Sequence, residues 1–200
     1  GCTDFRLVEL EDAAGGNSRG GASALVAYPW GAHYLPLPTV ESRAVRELLA
    51  ELGVLQGDPA AEQPLYDERY LCATPQERVF RDGLWEEGLL PRRGVGSDER
   101  AQQQRFQARI ETLKTARGSD GRRLFAIPMA LSSRDPAWLA LDRISLRQWL
   151  LDQGFSAPTL HWLANYGCRD DYGTSYDQTS AWAGLHYFAC RNGGAANAAA

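Results

Sequence analysis

Lysine is nearly missing from this 200-residue chain. Of its 21 basic residues every one but Lys114 is arginine, which reads as a compositional habit rather than a function. With 25 acidic residues and a net charge of −4, the bulk electrostatics disfavour nonspecific nucleic-acid binding. Closely spaced cysteines are missing too. Cys2, Cys72, Cys168 and Cys190 lie far apart, so neither a zinc-ligand spacing nor a redox pair is present, and the spacing leaves long-range disulfides open. No stretch reaches the roughly 18 apolar residues of a membrane span. Thr179–Cys190 is free of Pro, Asp, Glu, Lys and Arg, but it carries Thr, Ser and His. No metal-ligand pattern, Ser-His-Asp pattern, Cys-His pattern or internal repeat is visible, so a hydrolase has no support. No charged-then-apolar targeting segment precedes the first element.

What is present suits a folded protein. Apolar residues make up 44% and charged residues 23%, and six Trp, eight Tyr and six Phe require burial. The length allows one or two domains. Phe5–Glu9 is a short apolar segment ending on acids and predicts a strand. Ala13–Ser23 holds four glycines and predicts a loop. Pro36 and Pro38 impose an extended path. Val45, Leu48, Leu49 and Leu52 recur with helical period, and Gly53 stops that helix. Residues 54–67 read as loop. Glu68–Cys72 and Arg78–Phe80 predict a hairpin pair, with a turn at Asp82-Gly83 before Leu84-Trp85.

The remainder reads mainly as helix. Asp98–Arg117 carries Phe106, Ile110 and Leu113 on one stripe. Asp135-Pro136 is an N-cap followed by Pro at the first helical position. Ser145 and Gln148 form a capping-box pattern, and Pro158 opens a further helix. Trp182, Leu185, His186 and Ala189 define the face of the last one. The chain therefore divides into 1–40, strand and Gly-rich loop, and 41–200, mainly helical.

Several residues are candidates for chemistry, each beside a plainer reading. Glu9, an acid ending a strand, could accept hydrogen bonds from ribose hydroxyls, although many strands end on Glu. His33 adjoins Gly31 and Ala32 and is otherwise a locally satisfied loop histidine. His186 shares an apolar face with Trp182 and Leu185 and is otherwise a hydrogen-bonded core residue. The plainer reading is stronger still for His161. Arg169-Asp170-Asp171-Tyr172-Gly173 offers paired carboxylates for holding a cationic amine; the plainer reading is an Arg–Asp ion pair closing a helix. Trp162, Tyr166, Trp182 and Tyr187 suit either an aromatic pocket or a core.

The segment Val8-Glu9-Leu10-Glu11-Asp12-Ala13-Ala14-Gly15-Gly16 resembles the strand-end acid and double glycine of the flavin amine oxidase superfamily, which includes phytoene desaturases and protoporphyrinogen oxidases. Tyr28-Pro29-Trp30-Gly31-Ala32-His33-Tyr34 looks like the small-residue turn that passes the flavin ring. Asn165–Gly173 and Ser180–Phe188 are similar to a bacterial subgroup of FAD-dependent oxidoreductases. The resemblance implies an α/β fold, α+β in appearance, with a partial Rossmann-type FAD segment in 1–40 and a helical substrate domain in 41–200. It implies FAD bound by Glu9, Gly15, Gly16, Asn17, Arg19, Gly31, Ala32, His33 and Tyr34. Asn17 stands where that family carries Arg, and Arg19 is the alternative contact to the pyrophosphate. A substrate pocket of Trp162, Tyr166, Asp171, Trp182 and His186 is expected, taking a small molecule such as an amine, with catalytic residues unassigned.

On that resemblance the chain is an interior piece of a longer enzyme, inactive alone. The glycine fingerprint would lie before Gly1 and a further flavin segment after Ala200. The address stays open between bacterial periplasm and cytoplasm. The alternative is a non-enzymatic helical binding domain. A nicotinamide-dependent dehydrogenase shares Glu9 but accounts less well for the double glycine and the Tyr28–Tyr34 turn.

Overall fold

A computed structural model describes residues 2–32, 34–72 and 77–191. It combines six α-helices with three short antiparallel hairpins, a general α+β architecture, and no parallel sheet forms among the described residues. Two compact units are resolved, Gly1–Pro36 and Leu37–Ala200.

In the first unit, β1 (Gly20–Ala22) pairs antiparallel with β2 (Ala27–Pro29), Gly21 lying opposite Tyr28. The connection is closed by Ser23, whose hydroxyl accepts the N–H groups of Leu25 and Val26. Short side chains that bond their own backbone two or three residues on are what make such turns. The strand expected at Phe5–Glu9 does not form. Its backbone pairs with no other segment among the described residues, and Phe5, Leu7 and Val8 stand exposed. Apolar content alone cannot make a strand. The extended backbone needs a neighbouring edge to satisfy its N–H and C=O groups.

The second unit begins with α1 (Arg43–Glu51), which stops before Gly53, where φ is +72°. Only part of the predicted stripe turns inward, Leu49 being half-buried. Val45, Leu48 and Leu52 are exposed, while Arg46 is only 4% exposed. The Arg46 guanidinium donates to three carbonyls, those of Pro38 (3.0 Å), Pro59 (3.1 Å) and Ala61 (2.6 Å). Two short hairpins follow, β3 (Leu55–Gln56) with β4 (Leu65–Tyr66), and β5 (Arg78–Arg81) with β6 (Leu84–Glu87). The first falls inside the segment read as loop. The second turns at Asp82-Gly83, where both residues have positive φ, as the sequence predicts. Its partner strand differs from expectation: Glu68–Tyr70 is a 3-10 turn capped by Asp67, so β5 pairs forward across the tight turn. A two-residue connection costs far less closure entropy than the longer one back to 68–72, part of which lies outside the described residues.

The core is assembled from α2 (Ser97–Thr115), α4 (Leu146–Asp152), α5 (Pro158–Tyr172) and α6 (Ala181–Ala189), with the short α3 (Pro136–Leu139) at its margin. Phe106, Ile110 and Leu113 of α2 are buried, as their spacing predicts. The apolar run Leu124–Ala126 is not a strand. It threads the helices as irregular chain, with Phe125 fully buried against Trp138 and Trp182. α6 crosses Leu146 closely, because a Cβ on Gly184 would lie 2.5 Å from a Leu146 methyl.

Caps set the helix ends. Asp135 caps α3, Ser145 caps α4 and Ser180 caps α6, each through a backbone N–H two or three residues on. Gln148 completes only half of a capping box, since its amide donates to Asp152 instead. α5 has no cap of its own at Ala157. Its orphan N–H groups are met from α2: Gln102 Oε1 accepts from Ser156 and Ala157, and Glu99 Oε1 accepts from Thr159 N and Oγ1.

Candidate functional site

The predicted cofactor residues lie in the first unit. Glu9 Oε1 accepts the N–H groups of Leu10 (2.8 Å) and Glu11 (3.0 Å), which folds the carboxylate onto its own chain and leaves Oε2 outside both bonds. Gly15 and Gly16 take φ of +129° and +50°, backbone that side-chain-bearing residues rarely adopt, and lead into a 3-10 turn, Gly16–Ser18. That turn lies against the segment after β2. Ala32 N–H donates to the Asn17 carbonyl at 2.8 Å, and Trp30 N–H to the Arg19 carbonyl at 2.9 Å. A Cβ on Gly31 would stand 2.8 Å from the Asn17 oxygen, so only glycine admits this approach. Gly15, Gly16, Asn17, Arg19, Gly31 and Ala32 thus share one neighbourhood. Arg19 faces Glu11 at 3.9 Å across an exposed pair. Tyr34 is partly exposed, and His33 lies outside the described residues.

The predicted substrate residues lie in the second unit and form two aromatic stacks. Trp162 and Tyr166, one turn apart on α5, are nearly parallel with centroids 5.5 Å apart, and both are exposed. Trp182 and His186, one turn apart on α6, stack at 5.3 Å. His186 Nε2 lies 2.9 Å from the Ala126 carbonyl. A carbonyl only accepts, so Nε2 carries the proton and the neutral ring keeps its lone pair on Nδ1. Desolvation pulls the His186 pKa below the ordinary histidine range, with the Ala126 bond and Asp171 opposing it. The hydrogen-bonded core reading of this histidine therefore has a named partner. Trp182 Nε1 is buried and has no hydrogen-bond partner among the described residues.

Asp171 occupies the last turn of α5, which runs on through Tyr172. No ion pair joins Arg169 to Asp170 or Asp171 among the described residues. The helix is closed instead by Gly173, in left-handed conformation, whose N–H meets the Arg169 carbonyl. Desolvation raises the Asp171 carboxyl above the usual aspartate range, and Arg191 works against it. Glu77 is raised in the same way, with Arg191 and Asp170 in its field. The Tyr172 phenol donates to the Ala183 carbonyl at 2.8 Å, and burial pushes its pKa up. Burial also raises both core thiols, Cys168 and, to about 11, Cys190.

Sequence reasoning missed Arg191 as a neighbour of Asp171, because residues distant in sequence leave no local pattern. His161, whose plainer reading is a hydrogen-bonded residue, is bonded to Tyr176 Oη and the Phe155 carbonyl. A shallow groove lined by Ser97, Arg100, Ala101 and Gln104 opens beside the start of α2 and contains none of the predicted substrate residues. Among the described residues no group of three His, Cys, Asp or Glu is placed to hold a metal ion, and no helix is long and apolar enough to cross a membrane. No protein-family model matches the chain, and no curated protein or solved structure matches it either.

Proposed function

We propose that the chain is part of a flavin-dependent oxidoreductase of the amine oxidase-like type, acting on an amine or a related C–N or C–C bond. One juxtaposition carries this reading. The turn after the double glycine accepts Ala32 N–H through Asn17 and packs against Gly31, so the two segments singled out in the sequence meet.

The residues there suit FAD. Glu9 retains an exposed carboxylate oxygen able to accept from ribose hydroxyls. Gly15, Gly16 and Asn17 offer backbone without bulky side chains between it and a ligand. Arg19 is held by Glu11 only through a long, exposed pair, which is weak enough to exchange for a pyrophosphate oxygen. Gly31 and Ala32 allow a flat ring to approach, and His33 and Tyr34 follow them in the sequence. When bound, FAD supplies the hydride acceptor. On the substrate side Asp171 would hold a cationic amine, and Trp162, Tyr166, Trp182 and His186 would supply apolar walls. No catalytic residue is assigned.

The test is the absorbance spectrum of the protein expressed from its complete coding sequence and purified without added cofactor, beside its Glu9→Ala variant. Flavin bands in the former, weakened in the latter, support the reading. A colourless protein that stays colourless after FAD is added refutes it. That outcome favours the helical binding domain, for which the exposed Val45 and Leu48 of α1 and Leu52 at its end are the specific observation.

A further inference from the structure

The β5–β6 hairpin presents a face that is exposed among the described residues. Strand alternation puts Arg78, Phe80, Trp85 and Glu87 on one side, and all four are exposed, with Phe80 at 58% and Trp85 at 61%. Val79, Arg81 and Glu86, on the other side, are half-buried. The register places Arg78 opposite Glu87 and Phe80 opposite Trp85. The two rings meet at 5.3 Å, and the Arg78 guanidinium lies over the indole at 4.9 Å. No ion pair joins Arg78 to Glu87 within the hairpin among the described residues.

This arrangement is complementary to itself. Consider two such faces packed together about a two-fold axis that runs parallel to the strands along the midline of the hairpin. The operation carries β5 of one copy over β6 of the other without moving residues along the strand. Each Arg78 then lies opposite the second copy's Glu87, and each Phe80 opposite its Trp85. Two oppositely charged pairs and two aromatic contacts form at once, the self-matching pattern an isologous contact requires. A face with one sign of charge would repel its copy, and a purely apolar one would set no register.

We propose that this face of β5–β6 pairs with the same face of a second copy of the chain. The contact is independent of flavin binding and stands or falls separately from it. Four side chains per copy fall below the roughly 800 Å² per partner of a standard interface, so the dimer is weak, with a dissociation constant of about micromolar or above.

Sedimentation velocity on the 200-residue chain at rising concentration tests it, with far-UV circular dichroism to check that each variant is folded. The wild type shifts from monomer to dimer. Arg78→Glu alone places like charges opposite each other in the pair, as does Glu87→Arg alone, and each raises the dissociation constant by about tenfold or more. An equimolar mixture of the two variants restores opposite charges across the contact, and the dimer returns as a heterodimer. Hairpin stability cannot imitate that last result, since each variant keeps like charges within its own hairpin. Trp85→Ala, which leaves the charges alone, also abolishes the dimer. A wild type that stays monomeric assigns the face to some other partner and overturns the proposal. So does a dimer indifferent to Arg78→Glu, or a mixture that fails to recover it.

Discussion

Replacing Arg46 by Met removes a buried guanidinium while keeping most of the apolar volume of its stem. In the wild type that group donates to the carbonyls of Pro38, Pro59 and Ala61, and so ties the segment entering α1 to the loop between β3 and β4. Hydrogen bonds from a charged donor contribute about 1.5–3 kcal/mol each. Three at the lower figure set roughly 4.5 kcal/mol, and partial access of water to the freed carbonyls reduces this to about 3 kcal/mol. Arg46→Lys should recover only about a third, because a point ammonium cannot reach both the Pro38 oxygen and the Pro59–Ala61 pair. Urea denaturation measures the loss, and limited proteolysis locates it, since residues 57–64 should become the first cleavage site. An Arg46→Met protein within about 0.5 kcal/mol of wild type, uncut at 57–64, would refute the assignment of Arg46 as the clamp of this region.

Gly184→Ala sets a Cβ 2.5 Å from Leu146, and thermal unfolding should show a loss of about 1–3 kcal/mol, since Leu146 is itself fully buried. Asp120 accepts from Arg134 N, Arg122 N and Ser133 Oγ, and Asp135 from Ser119 N and Ala137 N, bonds that hold both carboxyls below the usual aspartate range. A depressed folded pKa means the contribution is complete above the ordinary value of 3.8 and disappears as pH falls through the lowered one. Asp120→Asn should therefore flatten the acid limb of the stability–pH curve, and an unchanged limb counts against a stabilising role for these bonds. Thiol titration with DTNB should find Cys2 and Cys72 reactive in the native protein and Cys168 and Cys190 only after unfolding; rapid native reaction at all four would contradict the burial of the last two.

The helical half was legible in the sequence because its signals are local. The stripe of α2, the Asp135-Pro136 start, the Ser145 cap and the Asp82-Gly83 turn each depend on residues within a few positions of one another. Phe5–Glu9 was misread because strand formation depends on a partner, and composition does not report one. α1 was legible as a helix but not in its orientation. Helical period reveals that Val45, Leu48 and Leu52 share a face, whereas the side turned inward is decided by where carbonyls wait for Arg46.

The candidate site divides along the same line. The double glycine and the Gly31-Ala32 turn are visible as sequence, but their meeting through Asn17 is a product of the β1–β2 pairing. The two aromatic stacks follow from four-residue spacing on α5 and α6, while the field of Arg191 around Asp171 does not. By itself the sequence determined where helices start and stop and which turns are tight, since those are energies of neighbouring residues. Only the tertiary structure decided which faces are buried, how α2 side chains cap α5, and what surrounds His186 and Asp171. Those outcomes depend on desolvation and on hydrogen-bond partners brought together from distant parts of the chain.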